Sequence, residues 1–329
     1  MSALAPTLQA FFTDRLVRQR QASPSTIGAY RDTMRLLLCF VCERTATEPS
    51  KLDLGQLDAP LIGAFLEHLE QQRGCGPRTR NARLAALRSF FRYAALQHPE
   101  HAATIERVLA IPPKRYQANL VTYLGERELD ALLDAPDRSS WTGRRDHAIL
   151  VLGAQTGLRA SELVGLTCGD LHLGTGAHVR CVGKRRKERV TPLVSETVAV
   201  LDAWLSERGR EASEPLFPTS TGRPLTRDAL ERRLARHAAT AAEHCTSLRA
   251  KRVTPHVLRH TAAMRLLHAG VDTTVIAMWL GHEKVETTQV YLHADMALKE
   301  RAIARTKPLN GKPGRYRPPD TLLAFLQAL

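Results

Sequence analysis

Apolar residues recur at helical spacing along most of this chain. Leu8, Phe11, Phe12 and Leu16 mark one amphipathic stretch, and Ile27, Tyr30, Met34, Leu37, Leu38 and Val41 a second. Leu61, Phe65, Leu66 and Leu69 mark a third, near Pro60 to Gln72; Leu84, Leu87 and Phe91 mark a fourth, from about Thr79 to Leu96. Steps of three and four place such residues on one helical face, which folding then buries. The punctuation agrees. Ser23-Pro24 is a capping residue followed by a first-turn proline, and Gly74-Cys75-Gly76-Pro77 breaks the third helix. Residues 1–110 therefore read as an all-helical domain. Ile111 to Asn119 carries two prolines and the charges of Lys114 and Arg115 and reads as a linker, with the domain boundary drawn at 111–122.

From residue 123 the pattern changes. Helices are expected to open at Leu124 to Leu129 and to run from Arg145 to Ala154, apolar at Ile149, Leu150 and Leu152. Val179 to Val182 and Arg189 to Leu193 then read as two short strands joined by the basic turn Gly183-Lys184-Arg185-Arg186-Lys187. Val198 to Leu205 reads as a helix, Pro215 to Pro218 as a turn, and Thr226 as the cap of a basic helix bearing Arg227, Arg232, Arg233 and Arg236. Thr254-Pro255 starts another helix, which Gly270 ends. Asp272 caps the next, with Val275, Ile276, Trp279 and Leu280 as its apolar face and Gly281 as its stop. The fold class is mainly α with a small β-sheet. A second domain spans 123–306, and 307–329 reads as a Pro-, Gly-, Lys- and Arg-rich arm ending in a short apolar helix from Asp320 to Leu329.

A chain of 329 residues is long enough for two cores. The net charge of +14 favours a polyanionic partner, nucleic acid being the commonest. Both parts contribute: residues 1–110 hold 14 Lys and Arg against 10 Asp and Glu, and the remainder 33 against 23. No apolar run is long enough to span a bilayer, and Met1 to Phe12 lacks the features of a signal peptide, so a cytoplasmic protein is expected. Cys39 and Cys42 form a C-x-x-C in an apolar helical run with no second pair at zinc spacing. They read as core thiols in a reducing compartment rather than metal ligands.

The candidate chemistry lies in five short stretches. Gln155-Thr156-Gly157-Leu158-Arg159-Ala160-Ser161-Glu162-Leu163 reads as a helix, a Gly turn and a new helix with an Arg at the junction; the basic turn carries Lys184. His256-Val257-Leu258-Arg259-His260 puts His256 and Arg259 on one helical face at a helix start, where unpaired amides and a guanidinium fork suit a phosphate. Leu280-Gly281-His282 and Val290-Tyr291-Leu292-His293 follow. All five, in order and spacing, resemble the tyrosine recombinase (phage integrase) family, most closely its Xer-like branch. The resemblance is strong over Leu124 to Arg305 and weak before it.

The resemblance implies a two-domain tyrosine recombinase architecture, a helical core-DNA-binding domain plus an α+β catalytic domain. It implies a metal- and cofactor-free site-specific recombinase that cleaves and rejoins double-stranded DNA. The intermediate would be a 3′-phosphotyrosyl bond, exchange would pass through a Holliday junction, and a homotetramer, alone or with a second related recombinase, would act on two sites. Tyr291 would be the nucleophile, Arg159 and Arg259 the clamp on the phosphate, and His282 a further donor. Lys184 would be the general acid, with Arg185, Arg186 and Lys187 as rivals. His256 would be a base or a partner that prepares the phosphate. Glu162 would orient Arg159, a capping carboxylate being the equal alternative, while His260 and His293 read as structural. Candidate DNA contacts are Thr79, Arg80, Asn81, Arg83 and Arg88 in the first domain, and Arg185, Arg186, Lys187, Arg189, Lys251 and Arg252 in the second. The C-terminal helix would dock on a neighbouring subunit or fold back on its own domain. A type IB topoisomerase-like nicking-closing enzyme and a catalytically silent DNA-binding regulator remain alternatives at this point.

Overall fold

The computed structural model describes residues 4–116, 121–183 and 188–282, together with Thr288 and Tyr291. Lys184 to Lys187, His293 and the C-terminal arm lie outside the described residues. The chain divides into two compact units, Met1–Ala118 and Asn119–Leu329.

The first unit is helical, as the periodicity predicts. Helix α1 (Leu4–Ala10) continues into a π-helical stretch, Phe11–Gln19, followed by α2 (Pro24–Thr45), α3 (Ala59–Gln71), α4 (Pro77–Gln97) and α5 (Ala102–Ala110). The expected cap is in place, Ser23 accepting from the Thr26 amide at 3.2 Å, and Asp58 caps α3 in the same way, accepting from the Leu61 amide at 2.9 Å. Phe11, Leu37, Ile62, Phe65, Leu87, Phe90 and Phe91 form the buried core. The Phe11 ring meets Phe90 edge-on at 5.5 Å, a geometry the ring quadrupole favours. Helix α4 starts two residues earlier than expected, because Pro77 occupies its first turn, where a missing amide costs nothing.

The second unit holds α6 (Glu126–Asp134), α7 (Trp141–Thr156), α8 (Ala160–Gly165), β1 (Leu171–His172), β2 (His178–Val182), β3 (Glu188–Pro192), α9 (Ser195–Arg208), α10 (Arg227–His244), α11 (Pro255–His268) and α12 (Thr273–Leu280). The strands pair antiparallel in the order β1-β2-β3, with Val179 opposite Thr191 and Cys181 opposite Arg189. Val179, Cys181 and Thr191 face inward, while Val182 and Val190 are exposed. Helix α7 is the spine. Its Ala148, Ile149 and Leu152 pack in one core with Val179, Leu201 and Trp204. Its Leu150 and Ala154 pack in a second with Leu129, Leu234 and Leu258. A third core gathers Ala263, Met264, Leu267, Ile276 and Leu280 around Tyr291. Burial on two sides also fixes a charged knot on α7. Arg145 is fully buried, donates to Asp146 at 2.7 Å and to the Pro218 carbonyl at 2.8 Å, and Asp146 is shared with His237 of α10 at 2.9 Å.

Three sequence expectations change in detail. Helix α7 starts at Trp141, four residues before the expected Arg145, since the Ser140 hydroxyl caps the Gly143 amide at 3.1 Å. On α12 the inward face is Ile276, Ala277 and Leu280, whereas Val275 is 46% exposed. The Asp272 cap sets the helical phase, and the i, i+4 pair 276 and 280 takes the core side. Cys39 is exposed and Cys42 half-buried; Cys168 and Cys181 are the buried thiols.

Gly157 ends α7 in the left-handed region, φ 62°. A Cβ there would stand 2.7 Å from Leu280 Cδ2 and 3.2 Å from Ala262 Cβ. Gly157→Ala thus combines backbone strain with a clash between α7, α11 and α12. The expected cost is about 2 kcal/mol, read as a fall in Tm on the order of 5 °C in a thermal melt of the full chain.

Candidate active site

The site grows from helix ends. The Thr254 hydroxyl caps α11 by accepting from the Val257 amide at 3.3 Å, and Pro255 fills the first turn. This orientation buries Val257, Leu258 and Arg259 and leaves His256 exposed at the start of the helix. Arg259 reaches across the third core, where its two terminal nitrogens donate to the Gly157 carbonyl at 2.6 Å and the Leu280 carbonyl at 2.7 Å. Both carbonyls belong to helix C-termini, which carry partial negative charge and suit a buried cation. Burial, then the neighbouring Arg159 charge, lowers Arg259 to about 10. It therefore stays charged at neutral pH. Two of the guanidinium's five N–H bonds are used this way.

Arg159 precedes α8 and is held by Glu162. The Glu162 carboxylate accepts from the Arg159 backbone amide at 2.8 Å and from the Arg159 side chain at 2.9 Å. It also accepts both terminal nitrogens of Arg189 on β3, at 3.0 and 2.8 Å. Burial works to raise the Glu162 carboxyl, but Arg189 and the Arg159 bonds outweigh it and hold it below the usual carboxylate range. Glu162 thus acts in both ways the sequence allowed, as cap and as orienting carboxylate. The other terminal nitrogen of Arg159 donates to the Gly281 carbonyl at 3.1 Å. Gly281 ends α12 at φ 65°, and a Cβ there would lie 2.7 Å from Arg189. Its small size lets the α12 terminus approach β3.

His282 follows that stop. Its Nδ1 meets the Thr288 hydroxyl at 2.8 Å, and its ring lies nearly parallel to the Tyr291 ring at 6.4 Å. Burial, then the charges of Arg259 and Arg159, lowers His282 to about 4. Tyr291 is 2% exposed, and its hydroxyl meets His260 Nδ1 at 3.0 Å. Burial raises the phenol, with Arg259 and Arg159 opposing. Burial, then His256 and Arg259, lowers His260 to about 4. Glu162 thus binds Arg159 and Arg189, and Tyr291 meets His260 and His282. The charges of Arg259 and Arg159 reach His282 and Tyr291, and the His256 ring lies 6.3 Å from that of His260. His260 was the residue that sequence reasoning set aside as structural. Its place directly after Arg259 and one turn after His256 is the signal that could have marked it.

The proposed DNA contacts divide. Arg80 is 7% exposed and donates to the Pro112 carbonyl at 3.0 Å. Asn81 brackets Lys114 with bonds of 2.8 and 3.0 Å, Arg83 bonds the Ala29 carbonyl and Thr33 hydroxyl at 3.0 and 2.9 Å, and Arg88 donates to the Ile111 carbonyl. Four of these polar side chains therefore serve internal bonds of the first unit, while Thr79 is exposed at the start of α4. Arg189 is spent on Glu162. Lys251 bonds Glu128 at 2.6 Å and the Tyr123 carbonyl at 2.9 Å. Arg252 has 87% of its side chain exposed. Lys184, Arg185, Arg186 and Lys187 lie outside the described residues.

Residues 122–297 match the phage integrase family, and residues 10–98 match the phage integrase N-terminal SAM-like domain. The chain is 55% identical over all of its length, and 99% of the relative's, to y4rC of Sinorhizobium fredii, named as an inferred integrase/recombinase. It is 32% identical to the tyrosine recombinase XerD of Pseudomonas putida, covering 94% of this chain and 99% of that one. Among solved structures, a XerH site-specific recombinase bound to a palindromic difH substrate shares the fold at a TM-score of 0.70 and 24% identity, over 87% of this chain and 81% of that one. A lambda integrase dimer bound to a COC′ core site does so at 0.63 and 16%, over 89% and 77%. No described helix is long and apolar enough to cross a membrane.

Two outcomes follow from this site. His260 and His282 are neutral when folded, whereas the unfolded chain protonates them below about 6.5. Between that pH and about 4 the unfolded state binds more protons, so stability rises with pH across this window and falls as pH drops through it. Thermal melts will give a lower Tm at about pH 5 than at about pH 7.5, and the double variant His260→Gln, His282→Gln will shrink the difference. Glu162→Ala strands Arg189, whose side chain is 12% exposed, and frees Arg159, which is 33% exposed. A loss of about 3 kcal/mol in denaturant unfolding is expected, the low end for a broken buried pair because Arg159 regains water.

Proposed function

The chain belongs to the phage integrase family of tyrosine recombinases, and we propose that it is a site-specific recombinase of double-stranded DNA whose nucleophile is Tyr291. The observation that carries this reading is the meeting of the Tyr291 phenol with the imidazoles of His260 and His282, within reach of the Arg259 and Arg159 charges. Cleaving a phosphodiester without metal needs an aligned nucleophile, donors for the charge that builds on the non-bridging oxygens, and a proton for the leaving oxygen.

Arg259 and Arg159 fit the second role. They come from different segments, are held at fixed carbonyls and a shared carboxylate, and keep N–H bonds to spare for a phosphate. His282 Nε2 is suited to donate a third bond, its Nδ1 being occupied by Thr288. His256, exposed at the first turn of α11, is suited to prepare the bound phosphate. Lys184 is the proposed acid for the 5′ oxygen, with Arg185, Arg186 and Lys187 alternatives on the same turn. Attack by Tyr291 forms a 3′-phosphotyrosyl bond and releases a 5′-hydroxyl. That bond keeps the energy of the broken linkage, so rejoining needs no nucleotide cofactor. A homotetramer on two sites, exchanging strands through a Holliday junction, completes the proposal. Surface candidates for binding duplex backbone are Thr79 in the first unit and Arg252 in the second.

The test is covalent capture. Wild type and Tyr291→Phe are mixed with a random-sequence pool of nicked duplexes, denatured in detergent and assayed for protein carrying DNA. Wild type is expected to give a detergent-resistant adduct whose DNA can be sequenced, and Tyr291→Phe none while still binding DNA. An adduct from Tyr291→Phe would sink the assignment of the nucleophile.

A further inference from the structure

We propose that His260, rather than His256, is the group that takes the phenolic proton of Tyr291 during cleavage. This rests on the reading of Tyr291 as the nucleophile. Two histidines, His260 and His282, meet Tyr291, and a third, His256, lies beside His260; their geometry separates them. His260 alone among the described residues has a ring nitrogen at hydrogen-bond distance from the phenol oxygen, Nδ1 at 3.0 Å, with the two rings crossing edge-on at 65°. His282 presents its face, its ring within 12° of parallel to the phenol, and its Nδ1 is taken by Thr288. His256 is exposed, and its ring centre lies 6.3 Å from that of His260.

Burial makes a contacting base necessary. With 2% of Tyr291 exposed, its proton cannot pass directly to water. His260 is neutral at rest, lowered to about 4 first by burial and then by His256 and Arg259. In the tautomer that carries its proton on Nε2, Nδ1 accepts and the phenol donates, and it is this tautomer that the proposal requires. The other charged groups of the site are Arg159, Arg189 and Glu162 from α8 and β3, and they act on His282 and Arg259. A DNA phosphate held by Arg259 and Arg159 brings the negative charge that this side of the site lacks. It offsets the Arg259 charge felt by His260 and favours the imidazolium. Proton acceptance is then coupled to substrate binding, and the phenol stays protonated until DNA arrives.

The step balances. The Tyr291 O–H bond breaks and its proton moves to His260 Nδ1 as the phenol oxygen bonds to phosphorus. The bond from phosphorus to the 5′ oxygen breaks, and that oxygen leaves with its electron pair and is protonated by the acid on the Lys184 turn. In rejoining, the 5′-hydroxyl returns its proton to the group on the Lys184 turn as its oxygen bonds to phosphorus, the bond from phosphorus to the tyrosine oxygen breaks, and that oxygen recovers its proton from His260.

The experiment compares wild type, His260→Gln, His260→Ala, His256→Gln and Lys184→Ala in single-turnover cleavage of a captured DNA site. Each is run on ordinary DNA and on DNA whose scissile 5′ oxygen is replaced by sulfur, a leaving atom that needs no acid. Glutamine can accept the phenol's hydrogen bond yet cannot bind its proton. His260→Gln should bind DNA normally, keep a Tm near wild type at neutral pH, and form adduct about a hundredfold more slowly. The loss should persist on the sulfur substrate, where Lys184→Ala recovers, and added imidazole should restore part of the rate to His260→Ala. Cleavage by His260→Gln within threefold of wild type, recovery of that variant on the sulfur substrate, or transfer of the persistent loss to His256→Gln would each overturn the proposal. An adduct from Tyr291→Phe would instead remove the nucleophile, and the proposal with it.

Discussion

The buried Arg259 guanidinium is the contact on which the rest of the second unit depends. It joins three pieces of chain distant in sequence, because its bonds to Gly157 and Leu280 tie the ends of α7 and α12 to the body of α11. Each of those helices ends in a left-handed glycine, Gly157 and Gly281, a conformation that costs glycine little. A charge buried to 4% exposure would be prohibitive without partners. Here the partners are the electron-rich ends of two helices. The same residue thus shapes the fold and offers its remaining donors to a substrate.

Charge balance explains why the site awaits an anion. Three guanidinium groups, Arg159, Arg189 and Arg259, share the charge of one carboxylate, Glu162, which accepts bonds from the first two and from a backbone amide. Glu162 settles the geometry but leaves positive charge uncompensated, and that excess adds to burial in lowering His260 and His282 and opposes the rise that burial gives Tyr291. A site arranged this way has few dipoles left to reorient when a phosphate enters, which is the physical basis of electrostatic preorganisation.

Much of this was legible in the sequence, for identifiable reasons. Ser23, Asp272, Thr226 and Thr254 cap the helices they were expected to cap, because a short polar side chain before an apolar run has few other roles. The order of Arg159, Arg259, His282 and Tyr291 along the chain was legible too, and the fold brings all four together. What escaped was set by tertiary partners. Helix α7 is apolar on two faces, which blurs its period and hid its first turn. Arg80, Arg83 and Arg88 look like a basic surface in one dimension, yet their partners are carbonyls of Ile111, Pro112 and Ala29, which no spacing rule reveals. The contact of His260 with Tyr291 was not legible because it is a hydrogen bond to a residue 31 positions away.

The enclosure of Tyr291 has a consequence beyond the first chemical step. In the proposed reaction the strand break exists only as a phosphotyrosyl ester, and water is the competitor that would make the break permanent. A side chain with 2% of its surface exposed offers water little approach to the linkage, whereas a DNA hydroxyl held in the site arrives already aligned. The packing of Ala263, Met264, Leu267, Ile276 and Leu280 around the ring would then serve fidelity. It would keep a severed strand recoverable for as long as the partner strand takes to arrive.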